Sequence, residues 1–176
     1  MKQLIITLLI ASSFSSINAQ YGVYKTYEDY QNGKLIEYSE SGARISIRFN
    51  KFTLTFQDEK GETVKYKLGE ENIWGYQFGP RLFRLDEKNE PWLITEFGDL
   101  VVYLYHTSVA YPQGDEIVYK FNPAAPMKVS IGKNGKMEKL TKDYLLSVFK
   151  DDPETLAALK KVKSKPAALF EFLLNG

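Results

Sequence analysis

From Gln20 to about Leu140 the apolar and polar residues alternate with period two, interrupted by turn-forming residues. A chain so patterned turns every second side chain to the same side, which restricts it to antiparallel strands with one or both faces covered. Ile45, Ile47 and Phe49 alternate with Ser46 and Arg48, and Phe52, Leu54 and Phe56 alternate with Thr53 and Thr55, predicting two strands joined at Asn50-Lys51. Val64, Tyr66 and Leu68 set against Thr63, Lys65 and Lys67 predict a strand buried on one side. Further strands are predicted at 73–78, 81–85 and 92–97, with turns at Gly79-Pro80, Asp86 to Pro91 and Gly98-Asp99. The run Leu100 to His106 is the most continuous stretch of β-formers and predicts a central strand packed on both faces. Beyond a loop at 107–115 the pattern continues at 117–121 and 127–131, and Asn134-Gly135 predicts a type I′ hairpin returning along 136–140.

At Thr141 the period changes. Thr141 is a candidate N-cap for a helix carrying Tyr144, Leu145, Val148 and Phe149 on one stripe. Asp152-Pro153-Glu154 predicts a second helix start, with a capping acid and proline in the first turn, and Ser164 with Pro166 predicts a third. The fold class is therefore α+β: an antiparallel β-sandwich or partly closed barrel, followed by C-terminal helices. One globular domain is expected over 20–176, mainly β to residue 140 and helical over 141–176.

Residues 1–19 follow a different plan. Lys2 precedes an apolar run from Leu4 to Ala11 and a small polar stretch, the layout of a secretory signal peptide with cleavage after Ala19. The run is shorter than the roughly 20 residues that span a bilayer, so no transmembrane span is expected. The chain has no Cys, which excludes disulfides, thiolate metal sites, a cysteine nucleophile and an anchor on an N-terminal lipidated Cys. With no glycosylation sequon either, the expected destination is secreted or periplasmic, in a bacterium. Formal net charge is +1, and Lys2 leaves with the signal. Such a balanced chain has no general attraction for nucleic acid.

Few residues are equipped for catalysis. His106 is the one imidazole, and pairing it with Ser108 and an acid such as Asp99 or Asp115 lacks any nucleophile-elbow motif to fix the geometry. Acidic residues gather as Asp58-Glu59-Glu62, Glu70-Glu71 and Asp86-Glu87-Glu90, each in a predicted turn. Carboxylate pairs serve glycoside hydrolysis and calcium binding, but the calcium-loop spacing is absent and turn-building is the simpler role. The stretch Gly132 to Lys136 is flanked by strands and lacks the following helix of a phosphate loop. Lys160, Lys161, Lys163 and Lys165 follow Asp151, Asp152 and Glu154, a distribution that complements a helix dipole. No catalytic residue, metal or cofactor is assigned.

The broad signal is aromatic: the chain holds 11 Phe, 2 Trp and 12 Tyr. Trp74, Tyr76 and Phe78 are predicted to share a strand face, with Trp92, Phe97, Tyr103, Tyr105 and His106 on neighbouring strands. Rings so placed either pair across a sheet or form a platform for a ligand. Trp74, Tyr76, Trp92, Tyr103, Tyr105 and His106 are the candidate ligand-binding residues. Tyr21, Tyr24, Tyr27 and Tyr30 recur every third residue, which suits a helical or coiled segment covering the sheet and equally an exposed adhesive strip.

The stretch Gly22-Val23-Tyr24-Lys25-Thr26-Tyr27-Glu28-Asp29-Tyr30, the segment Gly132 to Lys136, Leu140-Thr141-Lys142 and Asp151 to Glu154 together resemble a loose group of small, uncharacterised exported proteins of Bacteroidota bacteria. The resemblance implies export and a β-then-helix plan, and brings no catalytic residues with it. The expected function is an exported, non-catalytic binding or envelope-associated module that meets a protein, glycan or small apolar ligand through exposed aromatics. The alternatives are a lipocalin-like carrier, although the Gly-x-Trp motif is missing near the mature start, and a carboxylate-based hydrolase.

Overall fold

The computed structural model describes residues 20–48, 51–105, 110–113, 116–119 and 125–175. Strands β1 (Gln20–Tyr24), β2 (Ile36–Arg48), β3 (Lys51–Gln57), β4 (Thr63–Lys67), β5 (Gly75–Gly79) and β6 (Arg81–Leu85) come first, with the short helix α1 (Tyr27–Gln31) after β1. Then come β7 (Pro91–Phe97), β8 (Leu100–Tyr105), β9 (Ala110–Gln113), β10 (Glu116–Tyr119), β11 (Met127–Ile131) and β12 (Glu138–Lys139). Helices α2 (Lys142–Val148), α3 (Pro153–Lys161) and α4 (Pro166–Asn175) close the chain. The fold is α+β: one open ten-stranded antiparallel sheet in the order β12-β11-β8-β7-β6-β5-β1-β2-β3-β4, with β9 and β10 as a separate pair. Sandwich and partly closed barrel are both open on sequence alone, and ten of the twelve described strands form one sheet that does not close.

Register divides this sheet into two faces. Ile36, Val23, Tyr76, Phe83, Leu93, Leu104 and Met127 stand opposite one another on successive strands. This row belongs to the main core, which also takes in Leu54 and Phe56 of β3 and Leu145, Leu159 and Leu169 of the helices. Each fully buried leucine contributes about 1.5–3 kcal/mol of transfer free energy. The next row, Tyr24, Gly75, Arg84, Trp92 and Tyr105, belongs to the opposite face. There Trp92, Val101 and Tyr103 form a smaller cluster flanked by Ile94, Tyr105 and Met137. The central strand β8 serves both faces, and Leu100 to Leu104 are all buried, as its unbroken run of β-formers predicts.

Local chemistry sets most boundaries. Phe78 pairs with Arg81 and Phe97 with Leu100, so Gly79-Pro80 and Gly98-Asp99 are the expected two-residue turns. Strand β4 has Thr63, Lys65 and Lys67 exposed and Val64 and Tyr66 turned inward. Thr141 Oγ1 accepts the Tyr144 N–H at 3.2 Å, and Asp152 Oδ1 accepts that of Thr155 at 3.0 Å with Pro153 in the first turn, both as predicted. Lys142 Nζ donates to the carbonyls of Lys160 and Val162, both at 2.7 Å, tying α2 to the end of α3.

Five expectations are corrected, the first being the loop at 107–115, within which Ala110–Gln113 is the strand β9, paired with β10. The predicted 73–78 strand begins at Gly75, because the Trp74 N–H turns away to the carbonyls of Tyr24 and Lys25. The strand holding Ile45 extends back to Ile36 and shifts register between Ser39 and Arg44, and Ile45 is 37% exposed. The link predicted at Asn50-Lys51 falls partly outside the described residues, with Arg48 paired to Lys51. No type I′ turn forms at Asn134-Gly135: the positive φ, 67°, is at Gly132, whose N–H donates to Asp99 O at 2.7 Å.

One five-residue turn occurs twice. In Asp58-Glu59-Lys60-Gly61-Glu62, Asp58 Oδ1 accepts the N–H groups of Lys60 and Glu62 at 2.9 and 2.8 Å. In Asp86-Glu87-Lys88-Asn89-Glu90, Asp86 Oδ1 accepts those of Lys88 and Glu90, both at 2.9 Å. The fourth position is left-handed in each, φ 79° at Gly61 and 59° at Asn89, residues that tolerate it.

Candidate functional site

The face opposite the main core brings most of the sequence-predicted aromatics together around the loop between β11 and β12. Arg84 lies at its centre. Its Nη1 donates to Lys133 O and Gly135 O, both at 2.7 Å, and to Tyr103 Oη at 2.9 Å. Tyr103 Oη also meets Ser130 Oγ at 2.9 Å, and Ser130 donates to Gly132 O at 2.6 Å. The loop is therefore shaped by a guanidinium some fifty residues away in sequence, which explains why it departs from a tight hairpin.

Lys133 carries this network to the N-terminal tyrosines. Its Nζ donates to Tyr30 Oη at 2.5 Å, sits 4.9 Å from the centre of that ring and pairs with Glu96 at 2.9 Å. Burial alone would lower its pKa, but these partners outweigh burial and hold it above the ordinary lysine value. Tyr30 and Trp74 stack with ring centres 5.0 Å apart, Tyr27 lies 5.3 Å from Trp74 and 6.0 Å from Tyr30, and Tyr24 closes the group edge-on. Thr26 caps α1 by accepting the Asp29 N–H at 3.0 Å, while Asp29 accepts the Thr26 N–H at 3.1 Å, fixing the spacing that brings Tyr27 and Tyr30 onto Trp74. Tyr24 is buried, and Tyr27, Tyr30 and Trp74 are partly exposed. Trp74 Nε1 is buried without a hydrogen-bond partner.

The remaining candidates are placed differently. Tyr76 is fully buried in the main core, its ring 4.8 Å from Phe83 and its hydroxyl without a partner; desolvation pushes that hydroxyl's pKa far up. Trp92 and Tyr103 are buried, at 2% and 0% exposure, so in this structure neither offers the open platform that strand alternation alone allows. Trp92 donates Nε1 to Asp86 Oδ2 at 3.1 Å, lies under Lys128 Nζ at 4.5 Å and meets the half-buried Tyr105 at 5.0 Å. Lys128 binds the same Asp86 oxygen at 2.5 Å. Burial opposes ionisation of Asp86, but Lys128 and the amides of Glu90 and Lys88 prevail and hold its pKa below the usual aspartate value. His106 and Ser108 lie outside the described residues.

The acidic clusters serve local structure. Asp58 and Asp86 build the repeated turn, and Glu70 pairs with Lys67 at 3.1 Å. Among the described residues no group of three or more His, Cys, Asp or Glu side chains is arranged to hold a metal ion, and no helix is long and apolar enough to cross a membrane. Sequence reasoning named Trp74 but missed Glu96, Lys133 and Arg84, whose roles depend on strand register. Comparison with protein-family models, curated proteins and solved structures finds no match for this chain.

Proposed function

We propose that this chain is an exported, non-catalytic binding module, released to the periplasm or exterior after cleavage near Ala19, that engages its ligand through Tyr27, Tyr30 and Trp74. The observation that carries this reading is the partly exposed stack of these rings, braced from one side by Lys133 and Glu96. A sugar ring suits such a cluster best, since it offers an apolar face for stacking and hydroxyls for the charged rim. A lipocalin-like carrier has less support, since the sheet is open and packed side chains fill its core face.

The test is a titration of the Trp92→Phe variant, in which Trp74 is the sole indole, with a panel of soluble oligosaccharides. A saturable change in Trp74 emission with at least one sugar is expected. Emission unmoved by every sugar but moved by fatty acid would overturn the glycan reading in favour of a carrier, and emission unmoved by either would overturn the aromatic site itself.

A further inference from the structure

Strand register gathers four cations on one face of β2, β3 and β4. Arg44, Thr55 and Lys65 stand opposite one another, Ser46, Thr53 and Lys67 form the next row, and Lys51 lies two residues before Thr53. Alternation turns these side chains away from Leu54 and Phe56, which are buried in the main core, and from Tyr66, which packs against it. Arg44, Lys51, Lys65 and Lys67 are all exposed, and no carboxylate stands in these rows. Among the described residues Lys67 makes an exposed pair with Glu70, and no ion pair reaches Arg44, Lys51 or Lys65. The whole chain has 23 basic and 22 acidic residues, so the face reflects segregation of charge and not an excess of it. Lysines on an edge strand discourage strand addition, which accounts for Lys65 and Lys67 on β4. That role does not call for Arg44 and Lys51, which spread the same charge over β2 and β3.

Like charges held within about a Debye length repel, a cost that an anion lying over them removes. The chemistry of the face narrows which anion. No aromatic ring stands in these rows for the bases of a single strand to stack on, and no apolar side chain stands there to enter a bilayer. The cations are roughly 7 Å apart along β4 and roughly 10 Å apart from β2 to β4, far sparser than the one charge per ~1.7 Å of a nucleic-acid duplex. Between them lie the hydroxyls of the exposed Ser46 and the half-buried Thr53. Separated cations with hydroxyls between them suit a polymer that spaces its acid groups along a chain of hydroxyls. At the Lys51 and Lys67 end the face meets a cavity of about 500 Å³, also lined by Thr53, Lys88, Glu70 and Glu90. That volume is in the range of organic ligand sites and exceeds what a single inorganic ion fills.

We propose that this face of β2, β3 and β4 is a docking surface for an acidic polysaccharide, whose carboxylates lie against Arg44, Lys51, Lys65 and Lys67. The surface uses no residue of the Tyr27–Tyr30–Trp74 stack and does not rest on the glycan reading of that stack.

The experiment measures binding of the intact protein to immobilised polygalacturonate, with dextran as the neutral reference. Binding above dextran is expected, and it should weaken as salt rises. Arg44→Gln combined with Lys65→Gln changes two exposed side chains, so the fold is retained, as a thermal melt will verify, and binding should weaken by about tenfold or more. Lys163→Gln combined with Lys165→Gln removes the same charge from the exposed run after α3 and should leave binding nearly unchanged. Trp74→Ala should bind polygalacturonate as the wild type does, so failure of the aromatic stack would leave this result in place. No binding above dextran, or equal losses in the two double variants, overturns the proposal. Tighter binding to phosphatidylglycerol vesicles or to duplex DNA than to polygalacturonate overturns it in favour of a membrane or a nucleic acid.

Discussion

The turns Asp58–Glu62 and Asp86–Glu90 differ in sequence at one position and use their aspartate Oδ1 in the same way. They differ in what the second carboxylate oxygen does. At Asp58 no hydrogen bond to Oδ2 is made among the described residues, and the turn stays at the surface beside β4. At Asp86 the second oxygen takes Trp92 Nε1 and Lys128 Nζ, and its side chain is 3% exposed. One local motif thus serves as punctuation in the first case and as the anchor of a buried ion pair in the second. Long-range register sets the difference, by bringing β7 and β11 beside one turn and not the other.

The largest test of this contrast is removal of each aspartate. Asp86→Ala strands Lys128 and the Trp92 N–H and should lower unfolding free energy by about 3 kcal/mol. Asp58→Ala loses only exposed turn bonds and should cost about 1 kcal/mol. Denaturant midpoints at neutral pH check the pair, and equal losses would break the comparison.

Acid sharpens it further. The folded pKa of Asp86 is depressed, so its contribution is complete above the unfolded value of about 3.9 and is lost as pH falls through the folded value. Asp86→Asn should therefore flatten the stability–pH curve below about pH 4. Denaturant melts across that range read the slope; an unchanged slope contradicts the assignment.

The smallest effects concern the left-handed position. Gly61→Ala should cost about 1 kcal/mol, because a Cβ disfavours that conformation. Asn89→Gly should lie within about 0.5 kcal/mol of the parent, since asparagine already tolerates it. Thermal melts of the two variants provide the measurement.

Turns, helix caps and the central strand were legible because each is decided by neighbouring residues. Gly98-Asp99, Thr141 and Asp152-Pro153 act within a few positions of themselves, and β8 announces its burial by its unbroken apolar run. The repeated pentapeptide stands in the sequence, and the shared bonds to the aspartate Oδ1 make its two copies the same turn. What could not be read was which sheet face each ring occupies. Alternation separates Tyr76 from Gly75 and Gln77 but does not reveal that its side faces the main core. Trp74 escapes alternation altogether because it precedes the strand, and its partners come from α1. The Asn134-Gly135 signal was overridden by Arg84, a contact that no window around the loop contains.

The central claim, that the Tyr27–Tyr30–Trp74 stack is a binding surface, is tested most directly by calorimetric affinity for the sugar that moves Trp74 emission. The wild type is compared with Tyr27→Ala and Trp74→Ala, each first shown to melt cooperatively. Loss of a stacking ring should weaken binding by about tenfold in each variant. Wild-type affinity in both variants would contradict the account.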